Sequence, residues 1–229
     1  LALVVTQGLA TVATALGELG AGVLLLPAVY LPHVAGAALS WSQLFLPSRR
    51  PAFTVALRAI WIGLSTEMML PAATIGSEFV KARMLMRAGV RGGDAATSVV
   101  VDKTVQTMVL VVWGLIGVGV LASTHADSRI VLTALIGAGL LAAGLAGFVV
   151  AQHAGLFGFL AGLAGKAVHA SAWPAVIDNA ADLDATIRGV YGRKLSILRA
   201  CLIRFFSRSM LFAELWLAAY LMGQAVTPL

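Results

Sequence analysis

Long apolar runs separated by short polar segments dominate the chain. Four of them, at residues 23–46, 95–121, 130–150 and 202–222, are long enough to cross a bilayer, since a spanning helix needs about 20 mostly apolar residues. The opening stretch, residues 1–13, is shorter and is typical of the tail of a further span. This pattern predicts an all-α fold, a polytopic integral membrane protein whose helices form a bundle.

The composition excludes a soluble fold. Hydrophobic residues make up 60% of the chain and charged residues 11%, whereas roughly 25% of an ordinary soluble domain is charged. Many of the 24 glycines lie inside the apolar runs, where they allow helices in lipid to approach closely. We interpret residues 1–229 as a single transmembrane domain. The start at Leu1 rather than a methionine indicates part of a longer protein.

The basic residues predict which segments share one side of the membrane. Lysine and arginine fall in three blocks, at 49–58, 81–103 and 166–208, and cytoplasmic loops collect such residues. If residues 53–78 crossed the membrane fully, the second block would lie outside. We therefore predict that residues 53–90 form a re-entrant helical hairpin, which enters from the cytoplasm, turns and returns. The alternative is an ordinary span with an exceptional charge bias.

Residues 152–199 have a mixed composition that predicts amphipathic helices. Apolar side chains cluster between 156 and 163, and they recur at three- and four-residue steps between 176 and 190. Pro174 precedes the second group, and proline suits a first helical turn. Since the segment belongs to the third basic block, we expect two interfacial helices on the cytoplasmic side.

Charged and turn-forming residues concentrate on the predicted hairpin: Arg58, Glu67, Pro71, Gly76, Glu78, Lys81 and Arg83. A charge at membrane depth is costly, so it usually faces a cavity or a partner. Irregular backbone at that depth is also tolerated only inside protein or beside a wet cavity. One interpretation is a polar cavity that receives a charged or sugar-bearing headgroup. In the other interpretation, Glu67 and Glu78 form ion pairs with Arg58 or Arg83 and keep the two halves of the hairpin together.

A second polar group opens the span that follows the hairpin. Asp102 and Gln106 are four residues apart and share a helix face, with Lys103 beside them. These residues could line the same cavity, or they could form an ordinary polar helix start at the cytoplasmic interface. Arg204 and Arg208 lie near the start of the last span, where we interpret them as side chains that snorkel to the interface.

No motif for catalysis, metal binding or a cofactor is visible. The four histidines are scattered and form no zinc motif, and there is neither a phosphate-binding glycine loop nor a nucleophile elbow. We therefore predict no catalytic residue, no metal and no cofactor. The high isoelectric point reflects the basic residues of the inner face rather than a nucleic-acid surface.

Residues 57–90 and 97–117 carry a resemblance to a known family. The apolar run ending in Leu70-Pro71, the turn with Gly76 and Glu78, and the basic helix that follows resemble the lysylphosphatidylglycerol synthase transmembrane, or flippase-like, family. The Pro71-to-Gly76 spacing and the polar sequence at 102–106 are most similar to its hopanoid-associated branch. The chain departs from the pattern at residues 67–69, Glu-Met-Met, where many members have an asparagine. Members usually continue with a second hairpin, which would follow residue 229.

The resemblance implies lipid translocation, meaning flippase-like transport of a polar-headgroup lipid or hopanoid between leaflets or toward the outer membrane. It implies a multi-pass protein of a bacterial inner membrane whose partner is an anionic phospholipid or a hopanoid. No ATP motif is visible in the sequence, so movement would be downhill or coupled to an ion gradient, and Glu67 and Glu78 are the candidates for such coupling. The alternatives are an intramembrane lipid-modifying transferase and a non-catalytic scaffold that recruits lipid-synthesis enzymes through 152–199. The lipid, the direction of transport and the oligomeric state stay open.

Overall fold

The computed structural model describes residues 14, 17, 20–69, 74–124, 127–167 and 173–223. Within these ranges there are eight α-helices and no strand. The helices are α1 (Leu25–Ser42), α2 (Phe53–Met69), α3 (Thr74–Arg87), α4 (Gly92–Ser123), α5 (Ser128–His153), α6 (Leu156–Ala167), α7 (Trp173–Gly192) and α8 (Lys194–Leu221). Short 3-10 helices at Gly20–Leu24 and Pro47–Arg49 flank α1. The predicted all-α membrane bundle is thereby confirmed.

Among the described residues, three helical stretches are long and apolar enough to cross a membrane: Gly20–Ser42, Gly92–Ser123 and Ser128–His153. They agree with three of the four predicted spans. The fourth predicted span, 202–222, lies on α8, which carries charged residues and is not one of the three. The predicted span tail at 1–13 lies outside the described residues.

The two predicted halves of the hairpin are α2 and α3, which pack against each other. The four residues between them, which include Pro71, lie outside the described part of the chain. Close packing occurs at Gly63, where an added Cβ would lie 2.8 Å from Lys81 Cγ. The helical hairpin is thus present, and the depth at which it enters the membrane stays a prediction.

Five helices form a closed ring in which each packs against the next: α1, α2, α3, α4 and α8, with α8 returning to α1. The α1–α8 pair is antiparallel and very close, since a Cβ on Gly36 would meet Ser207 Cβ at 2.4 Å. His33 Nδ1 lies 2.9 Å from the Ser207 carbonyl oxygen, and Ser40 Oγ donates to the Ala200 carbonyl at 2.8 Å. Trp113 of α4 stacks on Phe205 of α8. The ring is therefore held by packing and by buried hydrogen bonds.

The two predicted amphipathic helices, α6 and α7, pack against each other, and α7 also packs against α4 and α8 of the ring. Asp184 of α7 accepts hydrogen bonds from the Phe157 and Gly158 amides at 3.1 and 2.7 Å, and so caps the start of α6. The hydroxyl of Tyr191 donates to Gln152 Oε1 at 2.6 Å, at the end of α5. Ile187 is fully buried. The apolar face of α7 thus packs on protein, chiefly on α4 and α6.

Candidate functional site

The five-helix ring surrounds an open cavity of about 550 Å³, and every helix of the ring contributes to its wall. The lining is highly charged for a membrane bundle. Its basic residues are Lys81, Lys103, Arg204 and Arg208. Its acidic residues are Glu67, Glu78 and Glu214. Charged groups inside a bundle usually mark a wet cavity, a ligand path or a pair of partners.

The structure brings together six of the residues singled out in the sequence. Five of them line the cavity: Glu67, Glu78, Lys81, Lys103 and Gln106. Asp102 lies directly behind the wall, where it accepts a hydrogen bond from Gln106 Nε2 at 2.7 Å. Arg58 and Arg83 are exposed, and neither they nor Gly76 lines the cavity. Pro71 lies outside the described residues.

Glu78 forms ion pairs with two lysines from different helices. Its Oε2 lies 2.5 Å from Lys81 Nζ on α3, and its Oε1 accepts from Lys103 Nζ on α4 at 3.2 Å. The alternative in which Glu78 pairs with Arg58 or Arg83 is therefore wrong, since its partners are Lys81 and Lys103 and both arginines are exposed. Glu78 instead joins the hairpin to α4.

Asp102 forms a buried ion pair with Arg204 of α8. The Asp102 side chain is 1% exposed and that of Arg204 is 7% exposed. This corrects two interpretations, since Asp102 is not a solvated helix start and Arg204 does not snorkel to an interface. The Nε atom of Arg204 is buried without a hydrogen-bond partner among the described residues. One donor of this guanidinium is thus unused while its side chain lines the cavity.

The two lysines differ in how firmly they are held. The stem of Lys81 crosses Gly63, its Nζ lies over the Trp41 ring at 6.0 Å from the centroid, and its side chain is 7% exposed. The Lys103 side chain is 40% exposed. Exposed ion pairs typically contribute about 0–1 kcal/mol, whereas removing one partner from a buried pair costs about 3–5 kcal/mol. Lys103 is therefore the loosely held cation of the two.

The charges along the cavity are unevenly distributed. Arg204 and Glu214 are ten residues apart on α8, which separates them by about 15 Å along the helix axis. Glu214 and Glu67 both lie near Tyr30 and interact electrostatically with it. No carboxylate of the described residues lies within 4.0 Å of Arg208. The cavity thus has a basic region around Arg204 and an acidic region around Tyr30.

Sequence reasoning missed the contributions of Tyr30 and His33 on α1 and of Glu214 on α8, and it misplaced Arg204 and Arg208. A signal was available on α8, because residues 204, 208 and 211 recur on one helix face. Two arginines on one face of a mostly apolar helix indicate an interior position as well as an interfacial one. Tyr30 and His33 carried no comparable signal, since single polar residues in a span do not identify their neighbours.

The described residues contain no group of three or more His, Cys, Asp or Glu side chains that could hold a metal ion. In comparisons with known proteins, residues 1–229 match the family model described as the lysylphosphatidylglycerol synthase TM region. No curated protein matches the chain. No solved structure matches it either.

Proposed function

Because the chain belongs to the lysylphosphatidylglycerol synthase transmembrane-region family, whose membership indicates a membrane lipid-related role, we propose that it translocates a lipid. In this proposal the charged cavity holds the lipid headgroup while the acyl chains stay in the bilayer. A flippase must offer the headgroup a polar environment, since a bare charge in hydrocarbon is costly. The cavity inside the five-helix ring is such an environment.

The observation that carries the proposal is the excess of positive charge in the basic region. Lys81, Lys103, Arg204 and Arg208 face two carboxylates there, Glu78 and Asp102.

Two positive charges are therefore left over, and Arg208 has no carboxylate within 4.0 Å among the described residues. Guanidinium groups bind phosphate oxygens through short, charge-assisted hydrogen bonds. An anionic phospholipid, whose phosphodiester would sit in the basic region, fits this excess. The polar sequence at 102–106 resembles the hopanoid-associated branch, so a hopanoid is the second candidate.

The same proposal includes a topology. We place the hairpin α2–α3 as a re-entrant element that enters from the cytoplasm, and we place residues 152–199 on that same side, in a bacterial inner membrane. The distribution of lysine and arginine supports this arrangement. Movement would be downhill or coupled to an ion gradient, and Glu67 and Glu78 are the candidates for such coupling.

Reconstitution tests the proposal. Purified protein in liposomes that contain fluorescent phosphatidylglycerol should bring the inner-leaflet lipid within reach of an impermeant quencher. Arg208→Gln should slow this movement at least tenfold, since a hydrogen bond to a charged group is worth about 1.5–3 kcal/mol and about 1.4 kcal/mol corresponds to a factor of ten. Arg58→Gln removes an exposed arginine outside the cavity and should leave the rate unchanged.

Lipid analysis separates transport from the alternatives. A transporter changes the leaflet in which a lipid lies and leaves every chemical species in place. If deletion of the gene removes a lipid species, and purified protein restores it from its precursors, the protein is a lipid-modifying transferase. If wild type and Arg208→Gln are both inactive in liposomes while lipid-synthesis enzymes co-purify with residues 152–199, the scaffold hypothesis is correct.

A further inference from the structure

Lys103 differs from the other cations that surround the cavity. The Arg204 and Lys81 side chains are each 7% exposed and are paired with a buried or half-buried carboxylate. Lys103 Nζ approaches Glu78 Oε1 at 3.2 Å, and 40% of its side chain is exposed. Of the three paired cations it is the one that a ligand in the cavity can reach most easily.

Glu78 does not lose its compensation when Lys103 leaves. Its other carboxylate oxygen lies 2.5 Å from Lys81 Nζ, and Lys81 is held in place by Gly63 and by the Trp41 ring. Departure of Lys81 or of Arg204 would instead leave a charged group buried and poorly compensated, which proteins avoid. The exchange of a protein carboxylate for a ligand anion is therefore least costly at Lys103.

The Glu78–Lys103 pair also joins two structural elements. Glu78 belongs to α3 of the hairpin, and Lys103 belongs to α4 of the ring. A ligand that takes Lys103 away from Glu78 removes this connection. A ligand can shift a conformational equilibrium only by the difference between its affinities for the two states. An anion that binds Lys103 has such a difference, because it competes with Glu78 for the same ammonium group.

We propose that Lys103 is the exchangeable cation of the cavity, which leaves Glu78 for the anionic group of the bound lipid and so loosens the hairpin from α4. The inference rests on the proposed headgroup cavity and adds to it a specificity-determining residue. A lipid without an anionic group occupies the cavity without releasing the pair. The anion is thus both the recognised chemical group and the signal for hairpin movement.

Distances between spin labels test the exchange. Labels at Phe79 of α3 and Leu140 of α5 are both on exposed side chains, with Cys201→Ser as background. Helix α5 packs on α4, so it reports the position of the hairpin relative to α4. In neutral maltoside micelles, added phosphatidylglycerol should shift the distance distribution to longer values. Diacylglycerol, which has no anionic group, should leave it unchanged.

Two variants identify the residue responsible. Lys103→Gln should show the longer distances without lipid and no response to phosphatidylglycerol, whereas Lys103→Arg should keep the response. Arg83→Gln removes an exposed charge from α3 and should behave as wild type.

Three results would overturn the inference. The first is a wild-type distance distribution that does not change when phosphatidylglycerol is added. The second is an equal shift of the distances with diacylglycerol, and the third is a full shift with phosphatidylglycerol in Lys103→Gln. Transport of phosphatidylglycerol in liposomes is measured separately, so wild-type transport without a shift rejects the exchange and retains the proposed function. Absence of transport rejects the proposed function itself.

Discussion

The buried pair of Asp102 and Arg204 provides the most decisive test of the bundle interior. Asp102→Asn removes one charge and leaves the Arg204 guanidinium, 7% exposed, without its carboxylate. The substitution also weakens the acceptor that Gln106 uses at 2.7 Å. Removing one partner from a buried pair costs about 3–5 kcal/mol. We expect Asp102→Asn to lower the free energy of unfolding by that amount.

The chain contains a matched control. Asp94 pairs with Arg49 at 3.3 Å, but the side chains are 15% and 46% exposed. Pairs in such positions typically contribute about 0–1 kcal/mol. Asp94→Asn should therefore cost less than about 1 kcal/mol. Both substitutions exchange one carboxylate for an amide of the same size, so the difference between them reports desolvation of the pair rather than loss of volume.

The free energies are measured by reversible unfolding in mixed micelles, followed by tryptophan fluorescence. The double variant Asp102→Leu with Arg204→Met completes the test, because a buried pair replaced by apolar side chains is often neutral or stabilising. We expect it to recover most of the stability that Asp102→Asn loses. Equal and small effects of Asp102→Asn and Asp94→Asn would refute the reasoning, since Arg204 would then be well solvated and already free to bind a headgroup.

Two further predictions concern packing and topology. Gly63→Ala should lower the free energy of unfolding by about 1–3 kcal/mol, because the added Cβ would lie 2.8 Å from Lys81 Cγ. Gly114→Ala is the control: a Cβ there would have no atom within 4 Å, so the free energy of unfolding should change by less than about 0.5 kcal/mol. Cysteines at Arg87 and Ser128, in cells whose Cys201 is replaced, should react with an impermeant thiol reagent from opposite sides. Reaction of both from outside would contradict the re-entrant hairpin.

Local sequence patterns were sufficient to predict most helices of the fold. The apolar runs at 95–121 and 130–150 lie within α4 and α5, and the boundary of the hairpin at Phe53 agrees with the first residue of α2. The physical reason is that helix length and composition are dictated by the bilayer, which requires about 20 apolar residues and internally paired backbone groups. Such requirements act on neighbouring residues, so a single sequence reveals them.

Pairing between distant residues was not predictable in this way. Asp102 and Arg204 are 102 positions apart. From its own surroundings Arg204 was interpreted as an interfacial residue, and Asp102 as either a cavity residue or an interfacial helix start. The structure places both in the interior, because α8 returns antiparallel to α1 and closes the ring beside α4. The contact between Glu78 and Lys103 was likewise decided by the packing of α3 on α4, which brings Lys103 Nζ to 3.2 Å from Glu78 Oε1.

The sequence by itself thus determined that the chain is an all-α membrane protein, which parts of it form most of the helices, and that charges concentrate around the hairpin. The tertiary structure decided which of these charges meet, which of them stay exposed, and that α1 and α8 complete the cavity. Hydrophobic periodicity reports the solvent on each side of a helix, and lipid and protein interior are both apolar. A helix face toward lipid and a helix face toward the bundle therefore have similar apolar sequences. The interior position of a charged residue such as Arg204 becomes visible only when the tertiary structure shows its partner, Asp102.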